Sequence, residues 1–234
     1  MASSNSSNSD SRLNNVMNYL SFLLGLMEDQ DWIKLEDVAL SKPKTFKVVS
    51  KMISDCEEFN GMTLLHACVR YDPPIKVLDK LIKLYPQMLR EGDCLGRTPL
   101  HVAAGSGASP CVIKILTMNY PQACNVQDKD GRTPLHFACD TSCELFEDDQ
   151  YLPRPRGPPS LDIIRVPLSG SLAAVTLEDG VEMNALDYAI VLDAPIEVVN
   201  LLQKAPQRVM RKTKMNNSPR TLFPTSVMAR IRTH

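Results

Sequence analysis

The sequence predicts an all-α solenoid in which helix-turn-helix units stack side by side with short, hairpin-like fingers between them. Two observations carry this expectation. A near-identical block returns three times at a fixed period of 35 residues, as Gly61-Met-Thr-Leu-Leu-His66, Gly96-Arg-Thr-Pro-Leu-His101 and Gly131-Arg-Thr-Pro-Leu-His136. Self-similarity on this scale marks a repeat array. Each block is followed by two apolar stripes at helical spacing, and a single helix pair cannot bury such stripes alone, so neighbouring units must cover one another.

Residues 1–15 are expected to be disordered, because their Ser- and Asn-rich first part offers too little apolar surface to offset the entropy of ordering. Residues 16–57 read as N-terminal helices and a capping repeat. The apolar stretch 16–27 is interrupted by Asn18, Tyr19 and Ser21, is preceded only by Arg12, and is too short to span a bilayer, so a packed helix is expected rather than a signal or membrane segment. Further along, Trp32, Leu35, Val38 and Ala39 share one helical face. Pro43 breaks that run, and Phe46, Val49, Met52 and Ile53 form a second face. Together these read as a degenerate cap that presents Lys34, Glu36, Asp37 and Lys47 to water.

Full repeats are placed at 58–92, 93–127 and 128–178. Each opens at a turn, Asn60-Gly61, Leu95-Gly96 or Asp130-Gly131, where glycine takes a positive φ at little cost. Thr98 and Thr133 follow as N-caps, with Pro99 and Pro134 at the first helical position, where the missing N–H would have no intrahelical partner anyway. Leu100, Ala103 and Ala104 face inward on the first helix, matched by Leu65, Cys68 and Val69 and by Leu135, Ala138 and Cys139. Val77, Leu78 and Leu81 mark the second helix of one repeat, and Val112, Ile113 and Leu116 that of the next.

A weaker fourth copy, 179–207, appears when 16 extra residues are allowed. Glu182, Asn184, Ala185 and Asp187 replace its Gly, Thr, Pro and His, as terminal repeats tend to do. The extra residues fall within an insertion at 141–159, acidic and aromatic at first and then proline-rich, whose loop length fits either a functional segment or a disordered one. Pro167 stands where Leu81 and Leu116 stand in the other repeats, so that helix is expected to be kinked or shortened. Residues 208–234 form a basic tail.

Composition narrows the class further. The chain has 234 residues, 44% hydrophobic and 23% charged, enough for a sizeable core. Seven cysteines without a C-x-x-C pair point to a reducing, intracellular compartment, cytoplasmic or nuclear, rather than a disulfide framework or zinc site. The net charge of −1 hides an asymmetry: up to residue 203 there are 18 basic against 27 acidic residues, whereas eight basic and no acidic residues follow.

The three blocks resemble the T-P-L-H-x-A signature of ankyrin repeats, and the resemblance covers residues 58–207 plus the cap. The 35-residue period departs from the usual length of about 33 and leaves the curvature of the stack open. The resemblance implies protein-protein recognition on a concave face built from fingers and first helices. Carried across position by position, it selects Phe59, Met62, Arg70 and Tyr71 in the first full repeat, Cys94, Leu95 and Arg97 in the second, and Lys129, Asp130, Arg132 and Asp140 in the third. Aromatic groups and arginines most often dominate interface energy, which makes Phe59, Met62, Tyr71 and the arginines the expected anchors.

His66, His101 and His136 suggest a metal site until their spacing is considered. Equivalent positions on stacked helices lie about 8–10 Å apart, whereas zinc needs ligands at about 2 Å. In ankyrin repeats this histidine holds the finger by hydrogen bonds, and that role is expected here. The segment Ala104-Gly-Ser-Gly-Ala-Ser-Pro110 lacks the G-K-[ST] ending of a phosphate loop and reads as an inter-helix turn. No G-x-S-x-G, H-E-x-x-H or dinucleotide-binding glycine pattern occurs. The expectation is a non-catalytic, cofactor-free, monomeric adaptor or scaffold with no membrane span. The alternative from another class is anion or nucleic-acid binding by the basic tail, disfavoured by dispersed charge and few aromatics.

Overall fold

A computed structural model describes residues 6–41, 61–143, 145 and 157–216. The second cap face (Phe46, Val49, Met52, Ile53), Phe59, most of the insertion and the end of the basic tail lie outside the described residues.

The elements are helices throughout: α1 Ser6–Glu28, α2 Trp32–Ser41, α3 Leu64–Arg70, α4 Ile75–Leu84, α5 Pro99–Gly105, α6 Pro110–Asn119, α7 Pro134–Cys139, α8 Leu161–Gly170, α9 Ala185–Val191 and α10 Ile196–Asn216. They form two layers. The first helices pack in the order α3, α5, α7, α9, and the second helices in the order α4, α6, α8, α10. One continuous core runs between them, in which Leu65, Leu78, Leu100, Ile113, Leu116 and Leu135 are fully buried. Among the described residues there is no strand, only an isolated bridge between Glu178 and Asn184. The fold is therefore an all-α solenoid.

The N-terminal end differs from expectation in one respect. Helix α1 begins at Ser6, inside the stretch expected to be disordered. Once the turns carrying Leu20, Leu23 and Met27 are anchored in the core, extending the helix backward fixes one residue per added hydrogen bond and avoids a second nucleation. Among the described residues α1 rests on α3 and α2 on α4.

Helix α8 is a second departure. It runs ten residues through Pro167, the same length as α4 and α6, rather than stopping short. Only three residues follow Pro167 in the helix, so the missing N–H removes little of the ladder, while the ring is buried in the place held elsewhere by leucine. Helix α10 continues to Asn216, past the expected repeat boundary at 207. Among the described residues no helix is long and apolar enough to cross a membrane.

At the finger tips, Gly61, Gly96 and Gly131 have φ of +71°, +79° and +78°. A Cβ at Gly131 would stand 3.0 Å from the Asp179 Cα, against 3.6 Å for the nearest atom at Gly96. Gly131→Ala is expected to destabilise the chain by about 2 kcal/mol, from left-handed strain plus the displaced fourth finger, and Gly96→Ala by about half that. Urea midpoints of the two variants check the order; equal losses would mean that the Asp179 backbone moves aside freely.

Candidate functional site

The second, third and fourth fingers are each organised by an aspartate at the start. Asp93 Oδ1 accepts from the backbone N–H of Leu95 (3.0 Å) and Arg97 (2.8 Å). Asp128 Oδ1 does the same for Asp130 (3.1 Å) and Arg132 (2.8 Å), and Asp179 Oδ1 for Val181 and Met183 (both 3.0 Å). Adjacent fingers are then joined backbone to backbone: Lys129 N–H donates to the Leu95 carbonyl at 2.8 Å, and Gly180 N–H to the Asp130 carbonyl at 2.7 Å. The tips thus form a continuous ridge.

The three histidines tie this ridge to the first helices. In each, Nδ1 accepts the N–H of the capping threonine at 3.0 Å, Thr63 to His66, Thr98 to His101 and Thr133 to His136. A backbone N–H can only donate, so Nδ1 is the acceptor and the proton sits on Nε2. From there each ring donates into the next unit, His66 to Arg97 O at 2.8 Å, His101 to Arg132 O at 3.2 Å and His136 to Met183 O at 3.1 Å, and His101 also reaches Val126 O of its own repeat at 3.1 Å. Both nitrogens are thereby occupied by backbone. Burial pushes His66 down to about 4 and His101 down to about 3, and it lowers His136 as well. The reach is 31, 31 and 47 residues, and the last exceeds the others by the 16 residues of the insertion.

Histidine at this position is replaced by Asp187 in the last unit, whose Oδ2 accepts the Asn184 N–H at 2.9 Å. A carboxylate makes the cap but has no N–H to send to a following finger. The substitution suits the end of a stack.

The residues selected as partner contacts separate by exposure. Cys94, Leu95, Lys129 and Asp130 stand exposed on the ridge, and Met62 and Arg132 are half-buried. Arg70, Tyr71, Arg97 and Asp140 are buried, and Phe59 lies outside the described residues. Arg97 is engaged inside the protein: its Nε donates to Asp93 Oδ2 at 2.7 Å and its Nη1 to the Leu145 carbonyl at 3.1 Å. Arg132 lies between two rings, its Cζ 4.4 Å from the Phe137 centroid and 4.9 Å from that of Tyr188, while Nη2 donates to Asp140 Oδ2 at 2.6 Å. Burial raises the Asp140 carboxyl, but bonds from Ser142 and Arg132 outweigh it and the net shift is downward. Tyr188 is pushed up to about 12 by burial and by its bond to Asp179. The arginines and Asp140 therefore stiffen the surface from within.

Phe137, Tyr188 and Leu145 escaped the sequence reading as surface-shaping groups. Phe137 and Tyr188 had a visible signal, since each follows directly on the first-helix position held by His136 or Asp187 and lies beneath a finger. Leu145 had none, because it sits in a non-periodic insertion.

The geometry defines a class: a solenoid of helix pairs whose fingers are bolted to the first helices by neutral histidines. Residues 88–138 match the family model for ankyrin repeats (many copies). Residues 88–138 are thus ankyrin repeats, and equivalent capping geometry continues on both sides of that segment. Comparison with curated proteins gave no match. Ankyrin repeats are in general protein-protein interaction modules and are typically non-catalytic.

Proposed function

We propose that this protein is a non-catalytic adaptor or scaffold that binds a protein partner along the concave side formed by its fingers and first helices, acting as a monomer inside the cell. The observation that carries the reading is the ridge itself. Backbone bonds between successive fingers hold Cys94, Leu95, Lys129 and Asp130 exposed at fixed spacing, so little ordering entropy remains to be lost on binding. Met62 and Phe59 extend the proposed contact toward the N-terminal end, giving a surface that passes from apolar to charged. Arg132 contributes at its edge. Arg70, Tyr71, Arg97 and Asp140 contribute by holding the surface in shape.

A partner captured by the full chain supplies the test. Leu95→Asp with Lys129→Glu changes two exposed side chains and no buried one, and is expected to weaken binding by roughly a hundredfold, the loss typical of an interface centre. Reversing Arg208, Arg211 and Lys212 to glutamate is expected to leave it unchanged at about 0.5 M salt, where electrostatic tail binding is largely screened. The opposite pattern, binding indifferent to the ridge and abolished by the tail changes, would assign recognition to the basic tail.

A further inference from the structure

The surface of the second and third repeats already carries an occupant. Leu145, from the insertion, is 6% exposed. It packs over Gly105, the last residue of α5, so closely that a Cβ added there would meet Leu145 Cδ1 at 2.7 Å and Phe137 Cδ1 at 3.2 Å. Its carbonyl accepts from Arg97, the second-repeat finger arginine, at 3.1 Å. Two residues earlier, Cys143 Sγ lies 3.7 Å from Nη1 of Arg132, the corresponding arginine of the third repeat. Finger arginines from consecutive repeats thus grip positions two apart on one segment. Arg97 is itself fixed by Asp93 and Arg132 by Asp140, so both donors are preorganised and locally charge-balanced.

Gly105 is the last residue of α5. Its φ is not in the left-handed region, so the backbone does not require it. The space a Cβ would take is filled by the Leu145 side chain. The seat has an apolar floor at Gly105 and Phe137 and one directed donor for a peptide carbonyl. This chemistry selects an aliphatic side chain on a peptide backbone and makes no demand for charge.

We propose that the Gly105–Phe137–Arg97 seat is a leucine-docking site for a peptide segment of the partner, occupied by the chain's own Leu145 when no partner is bound. The inference rests on the interaction reading above and adds the chemistry of what is recognised. A partner's leucine gains the seat by displacing Leu145, so the internal segment sets a threshold for binding.

The probe is a labelled synthetic peptide of residues 141–149 added to the full-length chain, with binding read by fluorescence anisotropy and by amide shifts at Gly105 and Phe137. The Leu145→Ala chain, whose seat is vacated, is expected to bind the peptide at least about tenfold more tightly than the wild type, in line with release of one buried leucine. Gly105→Ala added to Leu145→Ala fills the floor with a methyl group while favouring the helix, and is expected to abolish the gain. A peptide carrying Leu145→Ala is expected not to bind. Equal binding by wild type and Leu145→Ala, indifference to Gly105→Ala, or no saturable shift in the Leu145→Ala chain up to millimolar peptide would each overturn the seat. The ridge variant distinguishes the two failures: if it still abolishes partner binding while the peptide is not taken up, the seat is wrong and the interaction reading stands.

Discussion

His101→Ala is expected to destabilise the chain by about 4 kcal/mol, near the upper end for a single substitution. The ring is fully buried between two repeats. Removing it opens a cavity against the edge of Phe137, whose centroid is 5.6 Å away, and strips the Thr98 N–H and the Val126 and Arg132 carbonyls of a partner. An unsatisfied buried polar group costs about 1–3 kcal/mol, and the cavity adds to that. His101→Gln, which can restore one donor, is expected to lose about half as much. Nearest-neighbour coupling governs repeat stacks, so amide protection should fall in the fingers at 93–97 and 128–132 and leave α1 little changed. Equilibrium unfolding in urea with hydrogen exchange checks both statements. A loss below about 1 kcal/mol would mean that the ring contributes only shape.

Mild acid is expected to reproduce that damage without mutation. The folded rings of His66 and His101 are held down to about 4 and about 3, whereas in the unfolded chain they return to 6.5. Below pH 6.5 the unfolded state therefore binds more protons than the folded one, so stability is fully present above that value and is lost as pH falls toward 4 and 3. Each ring contributes roughly 2 kcal/mol of loss between pH 7 and pH 5. His136 is shifted the same way and adds to the slope. Asp140 and Asp179, held below the usual carboxylate range, contribute only at lower pH. Urea midpoints measured from pH 7 to pH 5 should fall steeply in the wild type and less steeply in His101→Gln. A flat profile would mean that the rings are solvated.

How much of this was legible in the sequence depended on periodicity. The helix starts at Leu64, Pro99 and Pro134, the finger glycines and the inward leucines follow from local rules that repeat, and each copy checks the others. The histidines were readable as structural because equivalent helix positions lie too far apart to share an ion. The cap was not readable in the same way, because α1 and α2 lack the threonine-proline start. The candidate surface was legible only as a register. Position numbers placed Arg97 and Asp140 on the recognition side, but whether a side chain faces outward or inward there depends on what packs over it, and Leu145, which packs there, lies outside any local pattern.

The central claim is that each histidine bridges two units, so the most direct measurement is the state of the three imidazole rings by nitrogen-edited NMR. Stacked repeats predict slowly exchanging Nε2–H protons at neutral pH on His66, His101 and His136, with Overhauser contacts to the backbone around residues 97, 132 and 183, that is 31, 31 and 47 residues downstream. Rings that exchange freely, or contacts confined to each ring's own repeat, would contradict the stack.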